Sequence, residues 1–529
     1  MHVLYTSRTI ATALTCGLIF RAKAALFETV IDTRFGSIQG YPAFNVTPAG
    51  NLSKWENITV WKGIPFAATT GGQNRWKAPQ PLSPWNGTLN ADQWGPVCPS
   101  AVDGDTYIID EDCLNLNIWS AANSSDAKLP VVIWSYPAYS TAADALFDGG
   151  GMADKGVVYV NYNYRTGSFG WLAHPELSAE FEAVTGSNSS GNWGMLDQFA
   201  AVKWVHENIA AFGGDPHHIT VMGQSAGSAA TQHILNSNLT KGLIVGAIIE
   251  SGVRVPHDPL ASSLAENYKT LDWALSQGVN YTLSKNVSTI SKLRELSTDD
   301  LTEELLGSEW DFTATLDYYA MPDTYLNTLK NGLANDVPII TGNTKDESGA
   351  TYGLNITVEE YIADLNNTYN DDFIQDFLTL YPANDSAQAS GAWNSQFTDR
   401  SKVGTWMWAQ LWAKVYKSPI YTYLWDHAPP SQTSGAYHES EINYVLNNLY
   451  ATTDKAWTSQ DYKIAGKMNA YWVNFIKFGD PNGGNLTDWP ATSTKQVVQE
   501  VGKGWGSIRI ASKQKVALFR SWFQTLPAF

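Results

Sequence analysis

The chain has 529 residues, of which 44% are hydrophobic and 16% are charged, and its formal net charge is −17 at pH 7. This much apolar sequence, without a repeat or a low-complexity tract, excludes a disordered chain and predicts one large globular domain. The acidic balance repels phosphate backbones and anionic lipid. Nucleic acid and membrane surfaces are therefore not expected partners.

Residues 1–24 have the composition of a secretory signal peptide. Arg8 precedes an apolar run over 10–20, and small residues follow at Ala22 and Ala24. The run is shorter than the roughly 20 residues that span a bilayer, which disfavours the alternative of a stable membrane anchor. The sequence predicts a secreted, extracellular protein.

Loss of this segment would remove Cys16 and leave only Cys98 and Cys113. An even pair in an exported chain is typical of one disulfide, worth ~3 kcal/mol, and two buried free thiols are the alternative. Sequons of the form Asn-X-Ser/Thr predict N-glycosylation. They begin at Asn45, Asn51, Asn57, Asn86, Asn123, Asn188, Asn238, Asn280, Asn286, Asn355, Asn366, Asn384 and Asn485.

The first predicted elements are strands, followed by a long helix. Two short β-type runs, 29–39 and 58–66, predict antiparallel opening strands. Continuous apolar runs over 129–136 and 157–162 predict strands that are buried on both faces. Apolar residues at helical spacing then predict a helix over 196–212, which ends at two glycines.

In the next part of the chain, predicted strands alternate with predicted helices. An apolar strand is predicted over 218–223 and a helix over 225–235, with further strands over 247–251, 338–342 and 419–425. Buried strands that alternate with helices predict an α/β fold with a large, mostly parallel central sheet covered by helices.

Two long segments, 258–335 and 357–416, are mostly helical in pattern and rich in aromatic residues. The aromatic side chains either roof a pocket or pack within the helices, and packing is the more common role. The tryptophans concerned are Trp310, Trp393, Trp406, Trp408 and Trp412.

The motif Gly-Gln-Ser-Ala-Gly at 223–227 lies between a predicted strand and a predicted helix. A nucleophile on a strained strand-to-helix turn needs small flanking residues, and glycines provide them. The same turn brings the Ala226 amide close to where an oxyanion would form. The motif therefore predicts Ser225 as a nucleophile.

A serine nucleophile needs a base, and the base needs an orienting acid. His438 lies in a loop beyond the predicted strand 419–425 and follows Ser225 in the expected order, although a surface histidine is the alternative. Asp346 and Glu347 follow the strand 338–342, and spacing alone does not choose between them.

A metal site is only weakly indicated. His438, Glu439 and Glu441 offer one imidazole and two carboxylates, a poor ligand pattern, so neither a metal nor a cofactor is expected.

Taken together, the motifs resemble those of type B carboxylesterases, a family that includes cholinesterases and several fungal lipases. The resemblance covers nearly the whole mature chain. Besides the Ser225 motif, the matching stretches are 62–67 (KGIPFA), 111–117 (EDCLNLN), 163–167 (NYRTG), 191–198 (GNWGMLDQ), 208–216 (NIAAFGGDP), 345–347 (KDE) and 478–482 (FGDPN).

The resemblance implies an α/β-hydrolase fold in which 25–529 forms one catalytic domain and helical insertions form an active-site gorge. By the same resemblance the acid is Glu347, the base is His438, and Cys98 and Cys113 form the family's N-terminal disulfide. It also suggests a fungal source.

Two departures from the family pattern concern specificity. Where the family usually has a His-Gly-Gly-Gly turn, this chain has Tyr-Pro-Ala-Tyr at 136–139. The amides of Ala138 and Tyr139 remain available as oxyanion donors beside Ala226, but their side chains can shift the loop. Gln224 stands where cholinesterases have Glu, and 98–113 holds no tryptophan, so choline esters are disfavoured.

The expected function is hydrolysis of carboxylic esters, with a small-molecule or lipid ester as substrate. Two alternatives are acyl transfer, or another reaction on a metabolite, by the same three residues, and a non-catalytic binding member of the fold. An intact set of Ser225, Glu347 and His438 argues against the binding alternative.

Overall fold

The computed structural model describes residues 25–529 apart from 51, 101–103, 105, 303–307, 348–355 and 493–494. The predicted signal peptide 1–24 and the sequon residues 51 and 355 lie outside the described residues. The strands are β1 (Val30–Thr33), β2 (Gly36–Gln39), β3 (Tyr41–Pro42), β4 (Thr59–Pro65), β5 (Thr88–Asn90), β6 (Asn115–Ser120), β7 (Leu129–Ser135), β8 (Val158–Tyr162), β9 (Gly214–Gln224), β10 (Gly246–Glu250), β11 (Tyr268–Thr270), β12 (Ala314–Leu316), β13 (Ile339–Thr344), β14 (Ile420–Trp425), β15 (Val497–Val501) and β16 (Gly506–Arg509).

The α-helices lie between and after these strands. They are α1 (Gly150–Asp154), α2 (Gly167–Trp171), α3 (Pro175–Thr185), α4 (Trp193–Asn208), α5 (Ala226–Asn236), α6 (Leu271–Ser284), α7 (Ile290–Leu293), α8 (Thr298–Leu301), α9 (Tyr325–Asn331), α10 (Val358–Thr368), α11 (Asp371–Leu380), α12 (Ser386–Trp412), α13 (Ile442–Leu446), α14 (Ser459–Phe478) and α15 (Lys513–Phe523).

Eleven of the strands form one sheet in the order β16-β15-β14-β13-β10-β9-β7-β8-β6-β4-β3. The strands from β15 to β8 in that order pair in parallel, and antiparallel strands complete both edges. Every residue of β8, β10, β13 and β14 is buried, which matches the continuous apolar runs of the sequence. The predicted mostly parallel sheet covered by helices is confirmed.

The prediction of a single strand over 29–39 is wrong, because the segment is a hairpin. Antiparallel pairing joins Val30 to Gln39 across a turn that ends at Gly36. The φ of Gly36 is 143°, a backbone conformation that side chains disfavour, and this glycine lets the chain reverse. The predicted opening strand over 58–66 is present as β4, antiparallel to β6.

The five tryptophans of the two aromatic segments belong to packed cores. Trp408 and Trp412 are buried in the core that covers the sheet, and Trp406 is buried in a second core among α10, α11, α12 and α15. Trp393 packs against that second core, and Trp310 packs against a third. Packing, rather than roofing a pocket, is therefore their role.

A disulfide joins Cys98 to Cys113, as predicted, and lies just before the sheet strand β6. Its loop spans a sequence separation of 15 residues. In the described part of the chain, no helix has both the length and the apolar character needed to cross a bilayer.

Candidate active site

Ser225 occupies a strained turn between the central strand β9 and the helix α5. Its φ of 55° and ψ of −119° lie in a region that side chains rarely adopt. A Cβ at Gly227 would collide with the carbonyl oxygen of Ser135 on β7, so only glycine fits there. The Ser225 amide donates a hydrogen bond of 3.0 Å to the carbonyl oxygen of Glu250 on β10. This turn at the N-terminus of α5, which we call the Ser225 elbow, is thus held in contact with both strands that neighbour β9.

The neighbouring strands bring an acid and a histidine together. Glu347 follows β13, and His438 lies in the loop after β14. Glu347 Oε1 lies 3.0 Å from His438 Nδ1. Asp346 instead accepts the backbone amide of Ala436 at 2.8 Å and ties the end of the strand to the histidine loop. Where the sequence left two carboxylates open, the structure places Glu347 against His438.

Arg254 completes this charged group, and the sequence analysis missed it. Its Nη2 lies 3.6 Å from Glu347 Oε2, and both side chains are almost fully buried. Burial by itself would raise the pKa of Glu347, but the hydrogen bond from His438 and the charge of Arg254 outweigh it and lower the pKa. Arg254 follows β10 by four residues, so its position at the carboxyl edge of the parallel sheet was the available signal.

The imidazole of His438 lies beside the elbow but is not hydrogen-bonded to the Ser225 hydroxyl. The Ser225 hydroxyl makes no hydrogen bond to any residue that the structure describes, and His438 Nε2 lies 3.3 Å from the side-chain nitrogen of Gln224. With Nδ1 directed at Glu347, Nε2 is the nitrogen that can accept a proton. Burial lowers the pKa of His438, but contact with Glu347 and nearby carboxylates outweighs it and raises the pKa. The catalytic roles of the three residues stay predictions.

Two further carboxyl groups are buried in this region. Glu250 accepts a hydrogen bond of 2.8 Å from the Trp472 indole, and burial raises the pKa of Glu250 to about 8. Glu441 lies 3.4 Å from the Tyr423 hydroxyl, and its pKa is raised by burial and by the charge of Glu250. Glu250 therefore favours the protonated form near neutral pH, and burial disfavours the charged form of Glu441 as well.

The weak metal pattern at His438, Glu439 and Glu441 does not develop into a cluster. His438 contacts Glu347, whereas Glu441 contacts Tyr423. Across the described residues, no three side chains of histidine, cysteine, aspartate or glutamate are arranged to hold a metal ion.

Ala138, Tyr139 and Ala226 border one cavity of about 200 Å³ next to the elbow. None of the three donates a hydrogen bond to another described residue. Tyr139 has a φ of 62°, so it keeps the left-handed backbone that glycine adopts freely. The preceding loop is held by Tyr136, whose ring stacks on that of Tyr164 at 4.8 Å. Three residues with unpaired amides therefore border one space, and their role as an oxyanion hole stays a prediction.

A doubly covered parallel sheet with a serine at a strand-to-helix elbow defines an α/β-hydrolase. The model of the carboxylesterase family matches residues 28–508. The chain therefore belongs to the carboxylesterase family, and it is a carboxylic ester hydrolase.

Similar proteins agree with this assignment over most of their lengths. The fumonisin B1 esterase of Sphingopyxis macrogoltabida is 32% identical over 478 residues, which cover 85% of this chain and 84% of that protein. Carboxylesterase 5A of Canis lupus familiaris is 28% identical and covers 94% of this chain and 89% of its own length. A crystal structure of a Geobacillus stearothermophilus carboxylesterase is 27% identical, with a TM-score of 0.74, and covers 93% of this chain and 100% of that one. These relatives are bacterial and animal, so the expectation of a fungal source gains no support.

Proposed function

We propose that Ser225, His438 and Glu347 hydrolyse carboxylic esters through an acyl-enzyme. The Ser225 oxygen attacks the ester carbonyl carbon while His438 Nε2 takes the hydroxyl proton. That proton then passes to the leaving alcohol as the ester C–O bond breaks. Water repeats the sequence on the acyl-enzyme, its proton going to His438 and then back to Ser225, and the carboxylic acid is released.

The remaining groups stabilise the charges that develop. Glu347 holds the imidazole by Nδ1 and stabilises the imidazolium, and Arg254 keeps Glu347 ionised. The amides of Ala138, Tyr139 and Ala226 bind the oxyanion, with the loss of one donor costing on the order of 3 kcal/mol. The observation that carries the proposal is the contact of 3.0 Å between Glu347 and His438 beside the Ser225 elbow. The absence of a hydrogen bond between Ser225 and His438 does not count against the proposal, since catalytic hydrogen bonds often close only with substrate.

The test is the change Ser225→Ala, which removes the attacking oxygen and little else. We expect kcat for a p-nitrophenyl ester to fall on the order of 10⁶-fold, as for other serine nucleophiles. Thermal unfolding should show a folded variant. Turnover that persists in the folded variant would overturn the assignment.

We further propose that the enzyme is exported and N-glycosylated and acts on small-molecule or lipid esters outside the cell. The disulfide between Cys98 and Cys113 supports an oxidising compartment. Expression through a eukaryotic secretory route should yield a protein in the medium that begins near Ala25 and loses mass on treatment with an N-glycosidase. Retention of residues 1–24, or an unchanged mass, would contradict this part of the proposal.

A further inference from the structure

One face of α5 connects the oxyanion site to a polar pair deeper in the cavity. Ala226, Ala229 and His233 are spaced at i, i+3 and i+7, and all three border the cavity of about 200 Å³. The two alanines have small side chains and leave space next to the elbow. The larger imidazole borders the cavity further along the helix. A substrate chain that extends from Ser225 along this face would reach His233.

The imidazole of His233 pairs with the amide of Gln198 on α4. His233 Nδ1 lies 3.3 Å from Gln198 Oε1, and the Gln198 side chain is almost fully buried. This bond uses the Nδ1 proton as donor and the amide oxygen as acceptor. Nε2 of His233 and the amide nitrogen of Gln198 make no hydrogen bond to another residue that the structure describes. One acceptor and one donor of this pair therefore have no partner among the described residues, and both residues border the cavity.

The surroundings keep this pair uncharged. Burial lowers the pKa of His233 to about 4, so the imidazole is neutral in ordinary buffers. Among the described residues that border the cavity there is no Asp, Glu, Lys or Arg. A charged group beside the pair would find no counterion in this wall, which disfavours it. The wall therefore selects a neutral ligand.

We propose that Gln198 and His233 form a subsite for an uncharged hydroxyl group of the substrate. A hydroxyl is the simplest group that both donates and accepts a hydrogen bond. It would donate to His233 Nε2 and accept from the Gln198 amide nitrogen. The inference rests on the proposed ester hydrolysis and names a substrate class for it, namely esters that carry a hydroxyl remote from the reacting carbonyl.

Helix geometry fixes how far away that hydroxyl lies. Eight residues separate Ser225 from His233, which corresponds to about 12 Å along the helix at 1.5 Å per residue. Helical side chains lean back toward the N-terminus, so the imidazole approaches the elbow by a few ångström. The preferred hydroxyl should therefore be separated from the ester carbonyl by a medium-length chain.

The test compares esters that differ only in a terminal hydroxyl. We would measure kcat/KM for p-nitrophenyl esters of linear acids from butanoate to decanoate, each beside its ω-hydroxy derivative. A second series would carry the hydroxyl on the alcohol side, as acetates of linear diols beside acetates of the matching alkanols. We expect one chain length in one series to favour the hydroxylated ester by about tenfold, the effect of one well-formed hydrogen bond in an apolar wall.

Variants then locate the preference. Gln198→Met and His233→Phe remove the polar atoms with only a modest increase in side-chain volume, so each should abolish the tenfold preference and leave kcat/KM for the plain ester within about threefold. Thr166→Val removes another hydroxyl from the cavity wall and should leave the preference intact. No preference at any length in either series, or a preference that survives both changes in the pair, would overturn the subsite.

Failure of the proposed function would be distinguishable from failure of the subsite. If the plain esters were not hydrolysed at all, ester hydrolysis by Ser225 would be wrong, and the subsite would then be judged by calorimetric titration. Linear α,ω-diols should bind more tightly than the matching alkanols to the unchanged protein and equally to Gln198→Met. Equal binding by the unchanged protein would overturn the subsite on its own.

Discussion

The two sides of the Ser225 elbow differ in charge. On the side of His438, the ionised Glu347 and Arg254 lie 3.6 Å apart in the interior, and Glu250 and Glu441, whose pKa values are raised by burial, lie nearby. On the side of the cavity, the described wall residues carry no formal charge, and its histidine is held neutral. Under the proposed function, charge is concentrated where protons move, whereas recognition on the other side depends on shape and uncharged hydrogen bonds.

The largest expected effect distinguishes two adjacent carboxylates on the charged side. Glu347→Gln should lower kcat about 10⁴-fold, because the amide no longer stabilises the imidazolium or its tautomer. Asp346→Asn is the matched comparison: Asp346 accepts from the Ala436 amide and from the Asn394 side chain, so the change disturbs the loop and should lower kcat by no more than about tenfold. Steady-state kinetics on one p-nitrophenyl ester would measure kcat for both variants. An equal loss in both variants would mean that the loop, rather than Glu347, sets the activity.

A smaller effect is expected in the pH profile, about tenfold in rate per pH unit on its acid limb. His438 must be neutral to accept the serine proton, and its carboxylate neighbours raise its pKa above the ordinary 6.5. The rate should therefore fall as pH drops through a midpoint above 6.5. Glu439→Gln removes one of these neighbours and should lower the midpoint, as read from kcat/KM against pH. A midpoint below 6.5, or one unmoved by the change, would contradict this electrostatic account.

The smallest effect concerns the oxyanion loop on the neutral side. Tyr139 adopts a left-handed φ of 62°, which costs a non-glycine residue about 1 kcal/mol. Tyr139→Gly should therefore raise the free energy of unfolding by about 0.5 kcal/mol and keep the amide in place. Ala138→Gly is the control, because Ala138 has no positive φ, and it should lower stability by a similar amount. Urea unfolding of both variants measures this, and a destabilised Tyr139→Gly would show that the tyrosine ring holds the loop.

Most of the sheet could be predicted from the sequence because parallel strands covered on both faces are continuous apolar runs. The runs over 129–136, 157–162 and 247–251 correspond to β7, β8 and β10. The hairpin within 29–39 was missed because its turn is tight and Gly36 is its only clear turn signal. The Ser225 elbow was predictable since both its strand and its glycines are local features.

The choice of partners around the elbow depends on tertiary contacts that local patterns do not encode. Asp346 and Glu347 are neighbours in the chain, and only the packing of the strand end decides which one contacts His438. Nothing in the local sequence distinguishes Arg254 or Gln198 from other polar residues. Arg254 is singled out by its buried contact with Glu347, and Gln198 by its contact with His233. Long-range packing thus determines which side chains contact each other, which sequence spacing alone does not specify.

The most direct test of the central claim is to locate the covalent intermediate. A fluorophosphonate reacts with an activated serine and forms a stable phosphonyl ester in place of the acyl-enzyme. We expect intact-mass analysis to show one adduct per chain and peptide mapping to place it on Ser225. The esterase activity should fall at the same rate as the adduct accumulates. An active enzyme that is modified at another residue, or that loses no activity when Ser225 is labelled, would contradict the account.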